Sequence, residues 1–161
     1  VARAVTGIRP LADSQGLRIE PNISPVIEAI EADGNRLMRV LENLLRNAIR
    51  HARSRVVVSV EPTVPGGDAV FTVSDDGPGF PLRDGEPVLT RQPGESDSRD
   101  ADSAGLGLTI ARRIVESHAG TLSIENAPDS GAVVRFRIPA GPNAHEPQIE
   151  ERSSRRDERA S

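Results

Sequence analysis

Residues 42–80, ENLLRNAIRHARSRVVVSVEPTVPGGDAVFTVSDDGPGF, decide the fold. They begin in a helical pattern, pass through two apolar strands and end on an acid-glycine turn. VVVSV at 56–60 and AVFTVSD at 69–75 read as strands, and PTVPGGD between them supplies the Pro and Gly of a turn. Asp33 can cap a helix that runs through about His51. At about 100° per residue, Leu37, Leu41, Leu44, Leu45 and Ala48 fall on one side of that helix. Asn43, Asn47 and Arg50 form an i, i+4, i+7 stripe on the other.

Outward from this segment the same alternation continues. Residues 2–16 read as a helix interrupted at Pro10, and residues 17–20 as a short strand. VIEAIE at 26–31, between Pro25 and Asp33-Gly34, reads as a strand. Residues 106–118 are helical, ended by Ala119-Gly120, and TLSIENA at 121–127 pairs with AVVRFRI at 132–138 as a hairpin across PDSG. Runs of strands with segregated helices predict an α+β fold, a two-layer α/β sandwich whose mixed sheet is covered by helices on one face.

Two stretches fall outside this pattern. Residues 81–104 hold three Pro, two Gly and nine charges, longer than an ordinary structureless loop and typical of a lid or binding segment. Residues 140–161 carry nine charges and almost no apolar side chains, so burial cannot offset their ordering entropy. The expected division is therefore a domain over 1–139 and a disordered charged tail over 140–161.

Composition narrows the function. The 161 residues suit one domain, at about 150 residues per domain. Only 2% are aromatic, which leaves base stacking poorly supplied, and the net charge of −4 provides no general field for polyanions. No nucleic-acid partner is expected. All 20 basic residues are Arg, so Arg must do the phosphate work often given to Lys. There is no Cys, and His51, His118 and His145 lack zinc-ligand spacing. No apolar run reaches the length of about 18 residues that a membrane span needs, and the first residues lack a signal-peptide core, so a cytoplasmic protein is expected.

Three local signals carry chemistry, each with an ordinary reading beside it. The Asn43, Asn47, Arg50 stripe offers amide oxygens suited to Mg²⁺ and a guanidinium suited to phosphate, though by itself such a stripe is a solvated helix face. Asp75-Asp76-Gly77-Pro78-Gly79 places an acid at a strand end, able to accept from an exocyclic amine in a pocket, though it is also an Asp-Gly turn. Gly105-Leu106-Gly107-Leu108-Thr109 opens a helix, where free N–H groups make an anion site.

Their conjunction in this order resembles the ATP-binding catalytic domain of two-component sensor histidine kinases, in the GHKL superfamily shared with gyrase and MutL, whose fold is the Bergerat sandwich. ENLLRNAIRHA resembles the N box, VSDDGPGF the G1 box, and SAGLGLTIARRIVESHAGTLSIEN the G2 region and its helix. The resemblance spans residues 11–140. It implies that Asn47 coordinates Mg²⁺, with Asn43 and Arg50 near the phosphates of ATP and His51 where many members carry Tyr. It also implies that Asp75 accepts from the adenine amine, that Gly77 and Gly79 let the loop pass the base, and that Gly105, Leu106, Gly107, Leu108 and Thr109 hold the phosphates. Residues 81–104 then correspond to the ATP lid.

There are departures. EPVLTRQPG in the lid has no Phe where the family carries an aromatic box, Ser103-Ala104 stands where a Gly is expected, and HAG replaces the commoner HGG. Hydrolytic members place a Glu one turn before the metal-binding Asn; here that position is Asn43, while Glu42 points about 100° away. This favours phosphoryl transfer over hydrolysis. No His in the chain stands in the context of the family's phospho-acceptor, so the resemblance implies a His-containing dimerisation domain outside this chain and a response regulator downstream. An anti-sigma-type serine kinase and a non-enzymatic nucleotide-binding partner are the alternatives.

Overall fold

In the computed structural model, residues 1–25, 32–64, 67–83, 86–87, 102–129 and 131–140 are described, with backbone alone for 86–87 and 102–105. The expected strand at 26–31, most of the lid at 81–104 and the tail beyond residue 140 lie outside them.

The first helix, α1 (Ala2–Ser14), runs unbroken through Pro10. The predicted interruption is absent because Ala4, Val5, Ile8 and Ala12 are all buried on one stripe, and tertiary packing of that stripe outweighs the missing hydrogen bond of an interior proline. The helix ends where Gly16, at φ +68°, takes the left-handed position. There Gly16 N–H bonds Asp13 C=O and Leu17 N–H bonds Ala12 C=O, a Schellman motif. Strand β1 (Arg18–Ile23) follows and is longer than expected, because an edge strand accommodates Pro21.

Helix α2 (Gly34–His51) starts as predicted. The Asp33 carboxylate accepts from the N–H groups of Asn35 (2.9 Å) and Arg36 (3.1 Å), two of the four donors a helix start leaves open. Leu37, Val40, Leu41, Leu44, Leu45, Ala48 and Ile49 are buried. Strands β2 (Arg55–Pro62) and β3 (Ala69–Asp75) come next, then the short pair β4 (Leu82–Arg83) and β5 (Glu86–Pro87). Helix α3 (Asp102–Ser117) and the hairpin β6 (Thr121–Asn126) and β7 (Ala132–Ile138) complete the order.

The main sheet has the order β1-β2-β3-β7-β6, with β1 and β2 parallel and every other neighbour antiparallel. It is the expected mixed sheet in an α+β sandwich. Period-two alternation sends Val56, Val58 and Val60 of β2, Phe71 and Val73 of β3, and Val134, Phe136 and Ile138 of β7 into the core beneath the helices. Phe71 and Phe136 face each other in register, rings stacked with centroids 4.5 Å apart. The other face carries Ser59, Thr72, Ser74, Ser123 and Arg135, the polar side of a sheet covered once. Among the described residues no helix is long and apolar enough to cross a membrane.

Helix α3 begins a turn before its predicted start at Leu106. The glycines suggest a helix start, yet an interior Gly costs only about 1 kcal/mol, and the burial of Leu108, Ala111 and Val115 against the core offsets it. The N–H groups that the start of α3 leaves open therefore end at Ala104, and Gly105, Leu106, Gly107, Leu108 and Thr109 all follow them. The C-terminal end repeats the Schellman motif of α1, with Ala119 N–H on Glu116 C=O and Gly120 N–H on Val115 C=O. Here the left-handed residue is Ala119, at φ 55°.

Candidate functional site

The site is assembled at one end of the sheet from the end of α2, the loop at residues 75–80, the start of α3 and the tip of the β6–β7 hairpin. Two contacts join the first three, one tight and one ordinary. Gly77 packs so tightly on the last turn of α2 that a Cβ there would collide with the His51 carbonyl oxygen. Gly107 lies beside Asn43, which a Cβ would meet at 3.8 Å.

Asn43 is the residue of the polar stripe that the structure changes most. Rather than lying on an open face, its side chain sits against α3, and its Nδ2 is buried without a hydrogen-bond partner. Leaving such a donor unmet costs about 1 to 3 kcal/mol, which an acceptor brought to it would recover. Asn47, one turn on, is half-buried, while Arg50 and His51 are exposed at the helix end.

Asp75 ends β3 with its side chain already anchored. Oδ1 accepts from the N–H of Gly77 (2.8 Å) and of Ala132 (3.4 Å), and Oδ2 takes part in neither bond. Burial pushes its carboxyl above the ordinary carboxylate value; the two backbone bonds and the nearby His51 oppose that shift, and Asp76 adds to it. A half-buried acceptor of fixed orientation is what recognition of an amine donor requires.

Asp76, one residue on, faces away and does a different job. Its Oδ1 accepts from the N–H groups of Arg53 (2.8 Å), Ser54 (3.0 Å) and Arg55 (3.1 Å), and Oδ2 from the Ser54 hydroxyl (2.6 Å). Partial desolvation pushes this carboxyl up, but the Ser54 hydroxyl and the three backbone donors outweigh it and hold Asp76 well below the usual carboxylate range. The link between α2 and β2 is thereby tied to the loop.

Gly79 adopts φ +82°, and Phe80 after it is held by Asn126. Gly131, at φ +110°, packs on the Asp75 carbonyl, where a Cβ would collide. His118 is structural: its Nδ1 bonds the Ile114 carbonyl (2.8 Å), and its Nε2 accepts from Asp33 N–H (3.3 Å), joining the end of α3 to the cap of α2.

The structure thus sets Gly107 beside Asn43 and Gly77 beside Asp75 and His51, two groups that α2 connects, with Gly79 next to Asn126. Thr109 is exposed one turn beyond Leu106, and Leu108 points into the core. Sequence reading missed Asn126 and Gly131 and took Asp76 only as part of a turn. The signals available were slight: an Asn closing a strand, and a Gly in a hairpin turn.

A mixed sheet under helices, with an amide-bearing helix and a glycine-flanked acid at one end, defines the class of ATP-binding α+β domains. The chain matches, over residues 32–142, the family described as "Histidine kinase-, DNA gyrase B-, and HSP90-like ATPase", and it belongs to that family. It is 37% identical over 125 residues to Sensor protein SphS of Synechococcus elongatus, covering 71% of this chain and 30% of that protein. Against the signal transduction histidine-protein kinase AfsQ2 of Streptomyces coelicolor it is 39% identical over 112 residues, 69% of this chain and 21% of the other. Among solved structures, the catalytic domain of histidine kinase ThkA superposes with a TM-score of 0.69 at 24% identity, covering 86% of this chain and 88% of that one. Full-length ShkA in complex with AMPPNP gives 0.66 at 25% identity, covering 86% and 29%. The chain therefore spans less than a third of the length of these curated relatives. It corresponds to the ATP-binding catalytic domain of sensor histidine kinases.

Proposed function

We propose that this chain binds Mg²⁺–ATP in the locality between α2, residues 75–80 and the start of α3. On this reading it transfers the γ-phosphoryl group to a His on a dimerisation domain outside the chain, in a cytoplasmic two-component relay that passes through a response regulator. The observation that carries it is the buried, unpartnered Nδ2 of Asn43 beside Gly107. An orphaned amide donor and a glycine-lined approach fit a triphosphate, and an anchored carboxylate at Asp75 fits an adenine amine.

In this reading Asp75 accepts from the adenine amino group while Gly77 and Gly79 keep side chains away from the base plane. Asn43 and Arg50 donate to phosphate oxygens, His51 flanks the nucleotide, and Gly105 lies directly behind the open N–H groups of α3 and keeps a side chain away from them. Leu106, Gly107, Leu108 and Thr109 act through shape and position, Gly107 packing beside Asn43. Asn47 supplies the neutral oxygen that would hold Mg²⁺, which when bound neutralises phosphate charge. Transfer then depends on holding donor and acceptor in line, and the chain's own part is that positioning. Asn43 occupies the place from which a Glu would activate water, and an amide cannot take that proton. Residues 81–104 would form the lid, and residues 140–161 a tail outside the 1–139 domain.

The test mixes the chain with γ-labelled ATP, with and without a separate helical-hairpin protein bearing an acceptor His. Acid-labile label on the hairpin only is expected, abolished by Asn47→Ala with the circular dichroism spectrum intact. Acid-stable label on a Ser would mark a serine kinase. ATP binding without any transfer would leave a nucleotide-binding partner.

A further inference from the structure

The exit of the loop at residues 75–80 is held by a side chain from a different part of the sheet. Asn126 is the last residue of β6. Its Oδ1 accepts from Phe80 N–H at 2.7 Å, and its Nδ2 donates to the Phe80 carbonyl at 3.0 Å. One amide thus satisfies both backbone groups of one residue, as a neighbouring strand would. The fit is close: a Cβ on Gly79 would lie 2.7 Å from Asn126 Oδ1, so the glycine is demanded by this amide as well as by its positive φ. The same hairpin grips the loop's entrance, where Gly131 abuts the Asp75 carbonyl and Ala132 N–H reaches Asp75 Oδ1.

We propose that Asn126 is a positioning residue for nucleotide binding, its amide fixing the exit of the 75–80 loop so that Asp75 and Gly79 meet the base in one preset arrangement. The proposal rests on the ATP-binding reading above. Asn126 acts through its two bonds to Phe80. A loop that is loose before binding must be ordered on binding, and that cost appears as lost affinity, whereas a loop held at both ends has met it during folding. Because the loop lies on the base side of the site, its loosening blurs base recognition before it affects the phosphates.

The experiment measures ATP and GTP binding by calorimetry for the full chain, Asn126→Ala and Asn126→Asp, beside thermal unfolding without nucleotide. In Asn126→Ala both bonds to Phe80 are lost, and ATP is expected to bind about tenfold more weakly with a narrower preference over GTP. In Asn126→Asp the bond from Phe80 N–H survives and the donor to its carbonyl is lost, so intermediate affinity is expected; this variant decides the matter should the alanine variant fail to fold. Unchanged ATP affinity and base preference in a folded variant would overturn the proposal, as would affinity that falls only in step with the melting temperature while preference stays fixed. Absence of ATP binding by the unaltered chain would instead remove the reading beneath it.

Discussion

Replacing Asp76 with alanine tests how the site is held together without touching a residue assigned to the nucleotide. The substitution strips one acceptor from three backbone N–H groups and a hydroxyl at once, those of Arg53, Ser54 and Arg55. A charge-assisted bond of this kind contributes about 1.5 to 3 kcal/mol when sheltered. Residues 53–55 are exposed, so water replaces much of what is lost. The expected net cost is about 2 kcal/mol, read as a lower urea midpoint and a melting temperature lower by about 8 °C. Asp76→Asn keeps an acceptor and should lose about half as much. The pH dependence has a definite sign. Because the folded carboxyl lies below its unfolded value, the contribution of Asp76 is fully present above about pH 4 and is lost as pH falls toward the folded value. The stability gap between the natural chain and Asp76→Asn should therefore shrink on acidification below pH 4. Asp75 is common to both proteins, so the part of its opposite shift that comes from burial and its own backbone bonds cancels in the difference, and only the part that the Asp76 charge adds does not. A midpoint unchanged by Asp76→Ala at pH 7, or a gap that widens in acid, would refute the reasoning.

Three further outcomes are expected. Ala119→Gly should relieve the left-handed strain at φ 55° and raise stability by about 1 kcal/mol, seen as a melting temperature about 4 °C higher. Gly131→Ala would drive a methyl into the Asp75 carbonyl at φ +110°, so unfolding experiments should show a loss of about 3 kcal/mol or more together with lost ATP binding. Asp75→Asn offers an amide that can present a donor to the adenine amine, and calorimetry should show ATP affinity reduced by about ten- to a hundredfold.

Helix α2, strands β2 and β3 and the β6–β7 hairpin were legible because each is set by local pattern: a capping Asp33, a period-3.6 stripe and period-two alternation. The motif residues of the site were legible for the same reason, since each motif is short in sequence. What escaped depends on contacts between distant segments. Pro10 and the glycines of α3 are poor helix residues locally, and only burial of Ile8 and Ala12, or of Leu108 and Ala111, keeps them helical. Asn126 meets Phe80 from 46 residues away, and Ala132 meets Asp75 from 57, because β7 lies beside β3. The length of a motif cannot disclose what the sheet order brings to it.

The pairing of β3 with β7 is a seam between two consecutive stretches of chain. On one side, α1 through β3 form a contiguous three-stranded unit; on the other, α3, β6 and β7 form a second piece that joins it through one ladder, the stacked rings of Phe71 and Phe136, and the packing of α3 on α2 with His118 on the Asp33 N–H. Asn43 and Asp75 belong to the first piece, Gly107, Asn126 and Gly131 to the second. Neither piece owns the site. On the proposed reading a nucleotide held there would clasp both, so its binding energy would act as a cross-brace over the joint, while lengthening the connection between β3 and α3 would cost an amount that grows only logarithmically.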